Sequence, residues 1–524
     1  MTIEKPKVEA SLTDALIPIV TLVILLGGSV YLFGDNSSFG PNQIALLVAM
    51  GIAAIVGLKN GYSWDDIEQG IVKGISRSLG AILILLAVGS LIGTWMLAGT
   101  VPTLIYYGLD LLNPSMFYAA SCLICAIVAM SIGSSWTTAA TVGVALMGVS
   151  IGMGMSEAIT AGAIISGAYF GDKISPLSET TNLAPAIAGT NLFEHIQYML
   201  WTTVPSIIIT LILFVIIGLG ADLPDTASGI EEMQSLLQQE FNLGIHMLIP
   251  LLVLLTMAIK KVPAFPAVAI GALLGGIWAV IFQPEVVSEM ATSIIASINP
   301  ILFTLKLDWL SIDYSVHLSK GFIDSLGAIS IVWTALFDGV SFSTPSDTLN
   351  NLLSRGGMSS MLNTIWLIMC AMTFGAVLER VGLLKRVVTA FLKGAKTAGS
   401  MITRTILTCI GTNIITADQY MAIVMPGRMY KDEYAKRGLH QLNLSRSLED
   451  GGTLTSPLIP WNTCGVYMHG VLAVNPLDYI FYTFFNLINP VLAIIYAYLG
   501  IKILRIPIPV LPPLAEQEPV PTKA

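Results

Sequence analysis

Charge is scarce in this sequence: Asp, Glu, Lys and Arg make up 11% of 524 residues, where a soluble chain carries about 25%. That shortage excludes an ordinary water-soluble domain. No basic cluster with interleaved aromatics is present, so no nucleic-acid partner is expected, and the net charge of −8 says little about partners because the charges sit mostly in loops. Histidine and cysteine number five each. His195, His246, His317, His440 and His469 are too scattered to form a visible metal cluster or nucleophile–base pair, which argues against a membrane-embedded enzyme or receptor. Cys122, Cys125, Cys370, Cys409 and Cys464 lie in apolar segments, and the C-x-x-C of Cys122 and Cys125 reads as small apolar packing in a helix wall. A small-residue cleavage site is missing after the first apolar run, so that run is expected to stay as an uncleaved helix. Alternating ten-residue strands are missing too, which excludes an outer-membrane barrel.

Apolar residues dominate instead, at 54% with a mean hydropathy of +0.78. Ala15–Phe33, Leu79–Leu109, Tyr198–Ala221, Val262–Pro284, Met358–Leu378 and Tyr479–Ile501 contain no charged residue. A crossing helix needs roughly 20 apolar residues because its backbone must be hydrogen-bonded within the segment. The pattern predicts an all-α polytopic membrane protein. Lys and Arg concentrate between Arg380 and Arg446, with Lys260, Lys261, Lys502 and Arg505 in agreement, whereas Asp222–Glu240 holds five acidic residues and no basic one. The positive-inside rule then puts both termini in the cytoplasm.

Two apolar regions are not simple crossings. Leu111–Ser156 runs 46 residues without charge, about twice the length one crossing needs, around the polar patch Gly133–Thr138. Thr397–Gly427 has a matching patch at Gly411–Asp418, flanked by basic loops. Each is expected to be a re-entrant hairpin, and each is followed by an interrupted helix carrying Ser-Pro-Leu, at Ser175–Leu177 and Ser456–Leu458. The amphipathic stretches Asp65–Ser78 and Asp347–Ser360 precede corresponding spans. The expectation is two inverted repeats. The first covers residues 1–221, with a hairpin at about 111–156 and a broken helix at about 157–190. An outer loop covers 222–243. The second repeat covers 244–505, with an inserted outer loop or surface helix at about 285–343, a hairpin at about 397–427 and a broken helix at about 443–473. Residues 506–524 form a cytoplasmic tail.

Gly and Pro at the breaks free backbone carbonyls where hydroxyl and amide oxygens crowd, and hard cations such as Na+ bind oxygen. The candidate ligands are Ser134, Ser135, Thr137, Thr138, Ser175, Thr180, Thr181 and Asn182 in the first half. Thr412, Asn413, Thr416, Thr455, Ser456, Asn462 and Thr463 are their counterparts in the second. Carboxylates at membrane depth are costly and therefore functional candidates: Asp172, Asp418, Glu179, Glu449 and Asp450. A carboxylate holding either a proton or Na+ gives exchange by competition, and Asp172 is the first choice with Asp418 its rival. Structural roles stay open beside these. Asp172 could pair with Lys173, and Glu449 or Asp450 with Arg446 on the cytoplasmic side. Glu379–Arg380 reads as interfacial, Asp338 and Asp347 as loop, and His469 as a satisfied polar residue. The hairpin tips could be small-residue packing. Lys173 is the only deep cation expected, since Arg404, Arg428 and Arg446 fall in cytoplasmic zones, and a cation-poor centre favours a cation substrate.

The strings GAYFGDKISPLSETTNLAPAIAGTNLFEHI, GTNIITADQYMAIVMPGRMY and LSRSLEDGGTLTSPLIPWNTCGVYM resemble the NhaC family of Na+/H+ antiporters, with similarity from about Gly70 to Ile501. The resemblance implies a secondary transporter of the bacterial inner (cytoplasmic) membrane, with Na+ and H+ as transported ions, membrane lipid around it and no cofactor. It implies a scaffold domain plus a moving, elevator-type transport domain containing Gly133–Thr138, Asp172–Asn182, Gly411–Asp418 and Asp450–Thr463, in a homodimer. The family also includes exchangers of the malate/lactate type, the alternative function.

The charge asymmetry carries a topology prediction. Single cysteines placed in Asp222–Glu240 should react with an impermeant thiol reagent from outside, and those in Lys385–Lys396 only from the cytoplasm. Labelling of Asp222–Glu240 from the inside would sink the inverted arrangement.

Overall fold

The computed structural model describes residues 7–220, 226–291, 320–344, 346–392 and 397–507. Within them the chain is helical, with a single isolated bridge between Leu439 and Arg505. Eight helices among the described residues are long and apolar enough to cross a bilayer, and two further bent pairs pass the same test jointly. The protein is a multi-pass helical membrane protein.

The longest helix, Trp64–Leu97, starts on Ser63, whose side chain accepts from Asp66 N while Asp66 caps back. It packs against Ala264–Phe282 and Leu362–Arg380 through small residues. A Cβ on Gly275 would sit 2.6 Å from Trp95 Cδ1, and one on Gly74 2.4 Å from Ala376 Cβ. Asp65–Ser78 and Asp347–Ser360 differ here. The first is continuous with its span, whereas Asp347–Leu353 is a separate helix cut off by Gly356 and Gly357, both at positive φ. Of the expected inserted outer region, 292–319 lies outside the described residues. Its remainder includes a helix with one face buried, while Ile329 and Trp333 on the other stay exposed. Lys320–Phe337 packs into the bundle, where Ala335 is fully buried and the Leu336 carbonyl accepts from Ser90 Oγ at 2.8 Å.

Phe117–Ile132 runs to Gly133, whose φ of 74° turns the chain, and Ser135–Thr138 starts the return through Val144–Gly152. Gly218 abuts the Ser115 carbonyl, so this arm begins level with the end of Leu192–Leu219. The arm's 16 residues reach roughly 24 Å against roughly 42 Å for that 28-residue neighbour, so the tip stops short of the neighbour's far end. Glu157–Ile174 then lies parallel to the first arm, close enough that a Cβ on Gly167 would meet the Cys122 carbonyl oxygen at 2.0 Å. It breaks at Ser175, extended at φ −81°, ψ 128° as the residue before Pro176 prefers, and resumes as Glu179–Ala188.

The second hairpin has arms Ala398–Thr416 and Gln419–Lys436, tied by Thr405–Tyr434 (3.0 Å) and Thr408–Tyr430 (2.8 Å) hydroxyl pairs. It turns at Ala417 (φ 55°) and Asp418, and its second arm runs on through Arg428 and Lys431. Gln441–Leu448 continues as a π turn at Glu449–Thr453, breaks around Pro457 and Pro460, and resumes as Thr463–Leu472.

The close parallel pair makes Gly167 a packing requirement. Gly167→Val should lower the unfolding midpoint of the purified protein, by overpacking worth about 1–3 kcal/mol. Gly27→Ala, with nothing within 4 Å of the added carbon, should not.

Candidate functional site

Both hairpin tips and both helix breaks meet in the interior. Each restarting helix is capped by a polar side chain: Ser134 accepts from Thr137 N, Ser178 from Thr181 N, Asp418 from Met421 N and Asn462 from Cys464 N. The first break packs on the first tip. Asp172 is buried in the last turn of Glu157–Ile174, and its Oδ2 accepts from both Ser135 N (3.1 Å) and Ser135 Oγ (2.7 Å). Its Oδ1 has no hydrogen-bond partner among the described residues.

A cavity of 410 Å³ opens beside this carboxylate. Ser134, Thr137, Asp172, Glu179, Thr180 and Asn182 face it on one side, and Leu254, Ala258, Val262, Ala267 and Val268 form an apolar wall. Ser135, Thr138, Ser175 and Thr181 lie one layer behind. Thr138 Oγ1 donates to the Ser134 carbonyl and Thr181 Oγ1 to that of Lys173, while Ser175 Oγ accepts from Leu177 N. The Asn182 amide is spent on the carbonyls of Pro176 and Ser178.

The second-half oxygens form a separate, closed cluster. Asn413 Nδ2 donates to the Gly452 carbonyl (2.6 Å) and Thr455 Oγ1 (3.1 Å), and Asn462 Nδ2 donates to Asn413 Oδ1 (3.1 Å). Thr412 and Thr416 bond to carbonyls four residues back, and Thr463 Oγ1 to Asn462 Oδ1. Ser456 Oγ reaches Gln419 Oε1 at 3.0 Å. Gln419 and Tyr420 carry this cluster to the wall of the 410 Å³ cavity, where Tyr420 donates to Glu179 Oε2 at 2.6 Å. Asp418 itself turns away to cap Met421 N at 2.8 Å.

The carboxylates thus separate. Lys173 does not pair with Asp172. Its Nζ lies 2.8 Å from Asp450 Oδ1 with both side chains wholly buried, and Asn489 Nδ2 donates to the same oxygen at 2.7 Å. Arg446 is not a cytoplasmic surface residue. It is fully buried with its guanidinium 4.4 Å from the Tyr198 ring centroid, because the ring shields it where basic neighbours suggest an interface. It makes no ion pair with Glu449 or Asp450 among the described residues, and Glu449, also fully buried, has no hydrogen-bond partner there. Gln419, Tyr420, Ser178 and Asn489 escaped sequence reasoning. The signal for Asn489 was available: it and Asn486 stand three apart in an otherwise apolar helix, and both donate into the second break.

The model of the Na+/H+ antiporter family matches residues 167–340 and 325–501, and the Na+/H+ antiporter NhaC of Alkalihalophilus pseudofirmus is 36% identical over 88% of this chain and 91% of its own length. This chain belongs to the Na+/H+ antiporter family. Other relatives carry other names. The malate-2H+/Na+-lactate antiporter of Bacillus subtilis is 37% identical over 88% of this chain and 90% of its own. The arginine/ornithine antiporter ArcD of Halobacterium salinarum is 33% identical over 95% and 94%. Membership makes the protein a transporter, and the ion or solute carried has to come from the site.

In this antiporter-family chain the Lys173–Asp450 pair joins the first broken helix to the second. Lys173→Met should destabilise the protein by about 3–5 kcal/mol, because it strands Asp450 in the interior. Lys173→Met with Asp450→Leu should recover most of the loss in thermal unfolding. A double variant no more stable than Lys173→Met would mean the pair is not what holds the breaks together.

Proposed function

We propose that this protein exchanges Na+ for H+ across the cytoplasmic membrane, and that Asp172 is the carboxylate that holds one or the other. The observation that carries this is the state of its two oxygens. Ser135 at the hairpin tip fixes Oδ2 by two hydrogen bonds, while Oδ1 is unpartnered among the described residues. Asp172 shares the cavity wall with Ser134 and Thr137, and its carboxylate and their hydroxyls form a set of hard oxygen donors suited to Na+. A proton on the same carboxylate neutralises the same charge, so the two ions compete.

The motion is read as an elevator between inverted repeats. Support comes from how the broken elements are tied to one another: Lys173 to Asp450, Asn413 to Asn462, and Trp136 stacked 4.1 Å from Tyr467. These links favour movement of tips and breaks as one body against Trp64–Leu97 and its partners.

A second reading, organic-acid exchange coupled to Na+ and H+, has its own support. The cavity's apolar wall and Lys261 at its edge suit a small carboxylate, and one relative is named for malate and lactate.

In proteoliposomes, Asp172→Asn should abolish Na+-driven proton movement while expression and assembly persist. Asp172→Glu should retain part of it with a shifted pH profile. Exchange at the normal rate in Asp172→Asn would overturn the assignment and move attention to Asp418. Adding malate and lactate to the same assay separates the two readings, since only organic-acid exchange makes Na+ flux depend on them.

A further inference from the structure

We propose that a polar cavity between the ends of helices Trp64–Leu97 and Leu362–Arg380 binds the phosphate headgroup of an anionic phospholipid. The cavity has a volume of 480 Å³ and is lined by Gln69, Gly70, Lys73, Arg77, Ala376, Glu379 and Arg380. That volume exceeds a water molecule's share of about 30 Å³ many times over. Three cations therefore face one carboxylate. Asp65 and Glu68, on the same first turns of the helix, do not line it.

The pairing inside the cavity leaves positive charge over. Arg77 makes a forked contact with Glu379, Nη1 to Oε2 at 2.6 Å and Nη2 to Oε1 at 3.3 Å. Arg380 reaches out to Asp66, through Nη2 at 2.7 Å to the carboxylate and Nε at 3.0 Å to the carbonyl. Asp66 also takes Lys7 at 3.2 Å. Lys73 has no ion-pair partner among the described residues. Glycine sets the floor: a Cβ on Gly70 would come 2.8 Å from Arg380 Cβ, so the helices touch there and the long cations splay around the contact.

A soluble anion does not need what lies beside the cavity. Val72, Leu79 and Leu83 are 60%, 50% and 43% exposed on the same helix, a lipid-facing strip leading from the cations towards the hydrocarbon. Basic pockets between spanning helices at the cytoplasmic surface hold anionic headgroups, with acyl chains along such strips. The assignment to the inner leaflet rests on the orientation read from the basic residues.

Occupancy reaches the transport machinery through Arg77. Its Nη1 also contacts Met421 Sδ at 3.4 Å, in the first turn after the tip of the second hairpin. A phosphate that draws Arg77 from Glu379 alters that contact, so bound lipid acts on the hairpin beside Gln419 and Tyr420.

The test is lipid retention by the purified full-length protein, read by native mass spectrometry with phosphatidylglycerol added against phosphatidylcholine. The wild type should retain phosphatidylglycerol preferentially, and Lys73→Gln should bind it about tenfold more weakly, the loss of one charge-assisted contact. Lys73→Arg should restore retention. Equal retention by Lys73→Gln and wild type would overturn the proposal. So would displacement of the lipid by inorganic phosphate at matched ionic strength, which would make this a soluble-anion site. The readout involves neither Na+ nor protons nor sidedness, so it fails separately from the exchange at Asp172 and from the orientation.

Discussion

Inside a bilayer no water meets the backbone groups that a broken helix releases, so the protein must supply their partners itself. Four elements break here, and each restarts on a polar side chain: Ser134, Ser178, Asp418 and Asn462. The residues that make the breaks tolerable belong to the same short segments that gather oxygens for an ion. Fold and site are therefore hard to separate. Removing a cap hydroxyl frees a buried N–H and alters the oxygen cluster at once.

The Lys173–Asp450 pair works on a longer scale. Burying two charges costs more than a surface pair returns, and the cost is bearable only with good geometry and further hydrogen bonds. Asn489 supplies one, on the oxygen that Lys173 also contacts. The pair fixes the first break against the second across 277 residues of sequence. Asn413–Asn462 and Trp136–Tyr467 add uncharged links in the same region. A polar core built this way favours one relative placement of the breaks.

The membrane class and most spans were legible because hydrocarbon leaves few choices: long runs without charge must be helices. The tips and breaks were legible because Gly, Pro, Ser, Thr and Asn are conspicuous in such runs. Side-chain pairing was not. Lys173 stands next to Asp172 in sequence, yet the two point apart and Lys173 finds Asp450. Arg446 shares its neighbourhood with surface cations, and only the Tyr198 ring reveals that it is buried. Gln419 carries no charge and gave no alarm although it lines the cavity, and Asn489, which holds the ion pair, was signalled only by its spacing from Asn486 in an apolar helix. The packed helix Lys320–Phe337 was hidden by the polar residues around it, since its burial depends on Gly93 and Ser90 far back in the chain.

The two tip-and-break clusters differ in how their polar groups are satisfied, and that difference bears on why exchange, rather than leak, is the expected behaviour on the proposed reading. In the second half the amides of Asn413 and Asn462 are turned inward to carbonyl and side-chain oxygens, Asp418 is occupied as a cap, and the cluster is closed. In the first, Asp172 keeps one oxygen without a partner among the described residues, beside a cavity. If that carboxylate crosses the apolar zone empty, it crosses as a bare charge, which hydrocarbon penalises by several kcal/mol. Loaded with Na+ or with a proton, Asp172 is neutralised and its share of the penalty falls away. A carrier whose empty form is penalised and whose two loaded forms are not moves mainly when loaded. On the proposed reading of Asp172, the desolvation cost of its bare carboxylate favours movement of the loaded forms over the empty one.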